Sequence, residues 1–95
     1  VIGDSKSGVA TLTPSETYDI KPSGVREEWI VTNLYTTGAS TFEVTDGTDS
    51  VPFWEPTGSD RLKGESFHLS SSYWIKVTNT GSTEIKIAWD GVQSR

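Results

Sequence analysis

Cysteine is absent from the 95 residues and histidine occurs once. Without thiols the chain forms no disulfide and performs no thiolate chemistry. A lone imidazole, His68, falls short of the three or four ligands a zinc site takes. Basic residues are also few: Lys and Arg number 8 against 13 Asp and Glu, a formal charge of −5. They are scattered, so no basic stripe is present to follow a nucleic-acid backbone or to hold an anionic membrane surface. No apolar run approaches the ~20 residues of a bilayer-spanning helix, and the first residues lack the apolar stretch of a signal peptide. Even with glycine included, apolar residues stay below the usual share of about 45–50%. A domain of this size buries only about 60–65% of the surface its unfolded chain exposes. Without disulfides, self-association is the expected source of extra stability.

Helical spacing of apolar residues is missing too. What the chain has instead is Thr and Ser, 13 of each, and large aromatics: 4 Trp, 3 Tyr and 3 Phe. Thr and aromatics favour strands, Ser favours turns, and a few large rings fill a core from few positions. Two stretches organise the pattern. Trp29-Ile30-Val31-Thr32-Asn33 is echoed by Trp74-Ile75-Lys76-Val77-Thr78-Asn79. Each runs into a Thr-Gly turn, Thr37-Gly38 or Thr80-Gly81, then into a second apolar strand ending in Asp-Gly, at Asp46-Gly47 or Asp90-Gly91. These read as two similar hairpins, each within one sheet.

Seven or eight short strands with turn signals about every ten residues predict an all-β fold. The expected architecture is an antiparallel β-sandwich, a Greek key or small jelly roll with a pseudo-twofold. Residues 1–8 read as a flexible N-terminal arm and 9–95 as a single sandwich domain. On the central strand, Trp29, Val31 and Tyr35 are expected on one face and Ile30 and Leu34 on the other. Trp29 and Trp89 are expected in the core, and Asp90-Gly91 to turn the chain out into a tail. Val51 to Pro56 carries two prolines and reads as an edge strand or ordered loop.

No constellation of catalytic residues emerges. The serines lack the strand–turn–helix context of an activated nucleophile. Glu27 and Glu28 are adjacent, so in a strand they point to opposite faces. Asp46-Gly47-Thr48-Asp49 offers part of a calcium loop, but a polar turn accounts for the same residues. The glycines stand singly at turns and make no phosphate cradle. The reading is a non-enzyme with no cofactor and no metal. What remains is aromatic exposure: Phe53 and Trp54 between prolines, and Trp74 beside Lys76 and Thr78. These three, with Val1 and Ile2 on the arm, are the candidate interface residues. Trp54 could equally fold back as a lid on the core, or serve as a platform for a sugar ring.

The segments Val25-Arg26-Glu27-Glu28-Trp29-Ile30-Val31-Thr32-Asn33-Leu34-Tyr35, Phe67-His68-Leu69, Tyr73 to Asn79 and Trp89-Asp90-Gly91-Val92 together resemble small all-β virion proteins of tailed bacteriophages. The resemblance spans roughly residues 12–92. It implies a structural protein of the virion surface, assembled in the host cytoplasm. A capsid decoration protein is the first reading, a tail or fibre component the other. Such proteins are often homotrimers at local threefold positions, and the implied partners are the major capsid protein or other virion proteins. The alternative is a carbohydrate-binding, host-surface adhesin module of a tail or fibre.

Overall fold

The computed structural model describes residues 1–95 and contains nine strands, one more than the upper expectation. They are β1 (Ser5–Leu12), β2 (Thr17–Ile20), β3 (Trp29–Gly38), β4 (Ser40–Thr45), β5 (Ser50–Trp54), β6 (Gly58–Leu62), β7 (Phe67–Leu69), β8 (Trp74–Asn79) and β9 (Ile85–Gln93). The ninth arises because the stretch around Gly64 breaks into two strands, β6 and β7, both laid along β3. One sheet has the order β1-β9-β3-β6 with β7 on β3, and the other the order β2-β8-β4-β5. All pairings are antiparallel. This is the two-layer sandwich with jelly-roll character that the pattern called for.

The Thr-Gly turns do something different from what their shortness suggested. The Thr37-Gly38 turn joins β3 in one sheet to β4 in the other, and Thr80-Gly81 joins β8 to β9 across the same gap. They are arches, not hairpins. The two arches interlock, because β3 pairs with β9 and β4 with β8. That gives the pseudo-twofold a physical form: each arch supplies the ladder partner the other lacks. The arch turns also touch, with the Thr80 N–H donating to the Ala39 carbonyl at 3.3 Å.

Inward residues of both sheets build the core. Ile20, Val31, Leu34, Phe42, Leu69, Ile75, Val77 and Ile87 are fully enclosed. Trp29 and Trp89 join them as expected, their rings stacked at 4.9 Å and 22°. Each indole N–H finds a partner, Glu27 Oε1 at 2.6 Å for Trp29 and the Tyr18 hydroxyl at 3.4 Å for Trp89. Offset stacking of this kind adds about 0.5–1.5 kcal/mol to the burial itself. Two buried polar side chains hold the arches. Asn79 Nδ2 donates to the carbonyls of Leu12 (3.0 Å) and Thr83 (2.9 Å), while its Oδ1 accepts the Gly81 N–H. In the other arch Thr36 Oγ1 bridges to Gly38 and accepts from Ser40.

Several boundaries depart from the sequence reading. Residues 5–8 are not a free arm: they pair with Trp89–Val92 as the first half of β1, and Gly3 and Asp4 bond to Gln93. Residues 25–28 precede the strand rather than belong to it. β9 runs straight through Asp90-Gly91, so no turn forms there. Tyr35 also changes face. A β-bulge between Val31 and Asn33 adds Thr32 as an extra residue opposite β9 and inverts the alternation beyond it. Leu34 and Thr36 therefore point into the core and Tyr35 points out. The bulge is pinned by Asn33, which donates to the Asp90 carboxylate at 2.5 Å and accepts the Gly64 N–H at 3.2 Å. The two echo asparagines thus have unrelated jobs.

Gly91 shows why β9 can pass this bulge. A Cβ there would collide with the Ile30 carbonyl oxygen and the Val31 Cα, both backbone atoms that cannot swing aside. Gly91→Ala is therefore expected to cost about 3 kcal/mol or more. Gly58→Ala, whose Cβ meets open space, should stay within about 0.5 kcal/mol. Urea unfolding followed by tryptophan fluorescence separates the two.

Candidate functional site

The sandwich has two unlike ends. At the arch end lie Thr13–Glu16, Thr37–Ala39 and Thr80–Glu84, and no large apolar side chain is exposed among them. At the opposite end four segments are tied together. The Gly3 N–H donates to the Gln93 carbonyl at 2.7 Å and the Val1 ammonium to Gln93 Oε1 at 3.1 Å. The Ser94 N–H donates to Glu28 O (2.8 Å) and the Glu28 N–H to Arg95 O (3.0 Å). Ser71 Oγ donates to the Val25 carbonyl at 3.2 Å. Both chain termini therefore sit beside the 24–28 and 70–73 loops.

These segments present Val1, Ile2, Val25, Tyr73 and Val92 to solvent, with Val25 87% and Ile2 70% exposed. Five large apolar side chains on one end, against none on the other, is a polarity that folding does not require. Around them stand Lys6–Glu27 and Arg95–Glu28 ion pairs, each at 3.6 Å. An apolar centre with a charged rim is the make-up of a protein contact surface. Of the candidates named from sequence, Val1 and Ile2 lie here. Val25, Tyr73 and Val92 were missed as surface residues. Val25 and Tyr73 each stand outside a strand, in the loops before β3 and β8.

The aromatic candidates turn out otherwise. Trp54 is half-buried, its ring 4.6 Å from Phe42 in the core. Phe53 rests on Phe67 at 4.7 Å. A bulge between Phe42 and Glu43 in the β4–β5 pairing lets these two consecutive rings both lean onto the sandwich. They close its β5 edge; Trp54 is the lid. Trp74 lies on the outer face of the four-stranded sheet, but Lys21 Nζ stands over its ring at 3.8 Å from the centroid. A Cβ on Gly47 would come within 3.2 Å of the same indole. Its N–H is closed off from solvent with no partner. The three aromatics thus do not converge with Val1 and Ile2 on one site.

Two concavities remain. A polar cleft of about 420 Å³ beside Trp74 is lined by Thr17, Asp19, Thr45, Thr48, Ser50 and Lys76. A groove of about 510 Å³ crosses the outer face of the five-stranded sheet, with Val9, Tyr35, Arg61, Lys86 and Ala88 among its walls. The Tyr35 hydroxyl there is raised above its ordinary pKa by desolvation first, then by the charge and hydrogen bond of Asp90, against a smaller opposing pull from Arg61. The Asp46–Asp49 segment is a closed turn: one Asp46 oxygen accepts the N–H groups of Asp49 (2.8 Å) and Thr48 (2.9 Å). Those donors hold its carboxyl below the usual aspartate value. His68 is exposed on β7, opposite Ile30.

No protein-family model and no curated protein matches the sequence. Among solved structures, the chain is similar to the capsular polysaccharide assembling protein CapF from Staphylococcus aureus, at a TM-score of 0.50 and 16% identity over 95% of this chain. It spans 25% of CapF's length, and at this identity the likeness concerns the fold alone. It is also similar to a de novo designed double-stranded β-helix, at a TM-score of 0.45 and 17% identity, covering 90% of this chain and 97% of that one.

Two expectations follow. Trp54→Ala should destabilise the domain by about 2 kcal/mol, the cost of a half-buried ring, read from the urea midpoint. The Asp46 turn should contribute fully above the unfolded aspartate pKa of about 3.9 and fade as pH falls through its lower folded value. Asp46→Asn should therefore flatten the loss of stability on acidification, as measured by unfolding midpoints across that range.

Proposed function

We propose that this chain is a non-enzymatic structural protein of a bacteriophage virion, a decoration protein that seats its terminal end on the capsid. One observation carries the reading: five of the seven exposed large apolar side chains, Val1, Ile2, Val25, Tyr73 and Val92, gather at the end where both termini lie, and the arch end has none. An end so divided from its opposite suits a module that stands on a surface. The segments resembling phage virion proteins supply the kind of surface. Binding only the assembled shell stabilises it by mass action and needs no reaction. In a symmetric array, a weak contact per copy is repeated over the particle, and a linked set of copies gains from avidity.

On this reading the contact lies away from Phe53, Trp54 and Trp74. The adhesin alternative needs an open ring for a sugar, and Lys21 already occupies a face of Trp74. Flat tryptophan fluorescence across a panel of soluble glycans is the expected result; quenching by one of them would favour that alternative. For the capsid reading, Ile2→Ser with Val25→Ser should leave the near-ultraviolet circular dichroism and the melting temperature unchanged. The same pair should lower co-sedimentation with phage particles about tenfold or more. Particle binding that survives both substitutions would defeat the proposal.

A further inference from the structure

We propose that β1 pairs antiparallel with β1 of a second copy, joining two five-stranded sheets into one continuous sheet. The inference rests on the sheet edges and does not depend on the capsid reading.

Four edges are open in a sandwich of this order, and three carry the features that stop strands from joining. β5 contains Pro52, which has no N–H to give. β2 has only four residues and lies between Pro14 and Pro22. On the far side of β3, β6 is short and exposes Asp60 and Arg61, and β7 has three residues. β1 has none of this. It is eight residues long, with no proline and no acidic residue. Its one charge, Lys6, is turned away toward Glu27 at 3.6 Å.

The ladder on its inner side fixes which groups are free. Gln93 donates its N–H to the Asp4 carbonyl and accepts from Gly3, so position 4 bonds to β9. Hydrogen-bonded and non-bonded pairs alternate along an antiparallel ladder. With the observed register, Lys6, Gly8, Ala10 and Leu12 therefore bond to Gly91, Trp89, Ile87 and Ile85. The N–H and C=O groups of Ser5, Ser7, Val9 and Thr11 point outward, away from β9.

One register satisfies all of those groups at once. Ser5 stands opposite Thr11 of the second copy and Ser7 opposite Val9, with the twofold passing at Gly8. The strand is self-complementary in this register because every outward residue faces another. No charge meets a like charge, although the chain carries −5 overall. The two Val9 side chains, each 74% exposed in the single copy, become diagonal neighbours on the same face across the junction. Such pairing closes at two copies, unlike the trimer that the virion resemblance implies. The strands run in opposite directions, so the two terminal ends face apart. One dimer cannot seat both ends on the same surface, and pairing describes the free protein.

Ser7→Pro is a clean probe. Its N–H is not used by β9, so the substitution spares the internal ladder and removes one intermolecular donor from each copy. Val9→Lys is the second variant; it sets two like charges near the twofold. The full chain should sediment as a concentration-dependent dimer. Each variant should weaken dimerisation about tenfold or more, with the near-ultraviolet circular dichroism and urea midpoint of the parent retained. A parent that stays monomeric to its solubility limit, or that assembles as a trimer, overturns the proposal. So does a dimer that both variants leave intact.

Discussion

The rest of the structure depends on the close passage of β9 over β3. At Gly91 the two backbones approach so closely that no side chain fits between them. A residue or two away, Trp29 and Trp89 stack from opposite strands. These contacts join the two arches, and the arches join the two sheets. The core is therefore not merely held between layers. Among the connections that pass from one layer into the other, the two arches interlock, and each uses the other as its ladder partner. The buried side chains of Thr36 and Asn79 make the turns possible by bonding arch backbone groups at the foot of each arch.

Locking the interior in this way leaves the surface free to differ from end to end. Few residues are needed for the core, because rings do most of the filling. Phe53 and Trp54, which look like interface residues in a proline-bracketed segment, close the β5 edge instead. Most of the apolar side chains left over, all but Val9 and Val51, collect where the termini meet. That is the basis on which a docking end is assigned, and it explains why the aromatic candidates and the terminal candidates fall in different places.

Much of the fold was legible in the sequence. Strand number and turn spacing announced the sandwich, and the paired Trp strands announced the pseudo-twofold. The features that escaped are those where one residue changes the geometry. Thr32 as a bulge inverted the faces of Leu34 and Tyr35, and alternation carries no mark for an inserted residue. Thr37-Gly38 and Thr80-Gly81 are short enough for hairpins. Only the pairing of distant strands shows that they change sheets. Asp90-Gly91 reads as a turn because that dipeptide usually is one; here the glycine serves close approach. Val1 and Ile2 were visible as apolar residues in a polar terminus. Val25 and Tyr73 were not, because each precedes an apolar strand segment and nothing in the pattern separates it from that strand.

The meeting of the two termini has a use beyond contact. Val1 and Gln93 are hydrogen-bonded, so a short linker could join the ends and a new opening be cut between Ser82 and Thr83, beyond the Thr80 and Gly81 N–H groups that tie the arches. The order of strands in space would persist while their order along the chain changed. For anyone wishing to carry a foreign peptide, the two ends are then not equivalent: cargo fused at Val1 or Arg95 crowds the apolar end, whereas cargo spliced into an arch projects into open solvent on the opposite side.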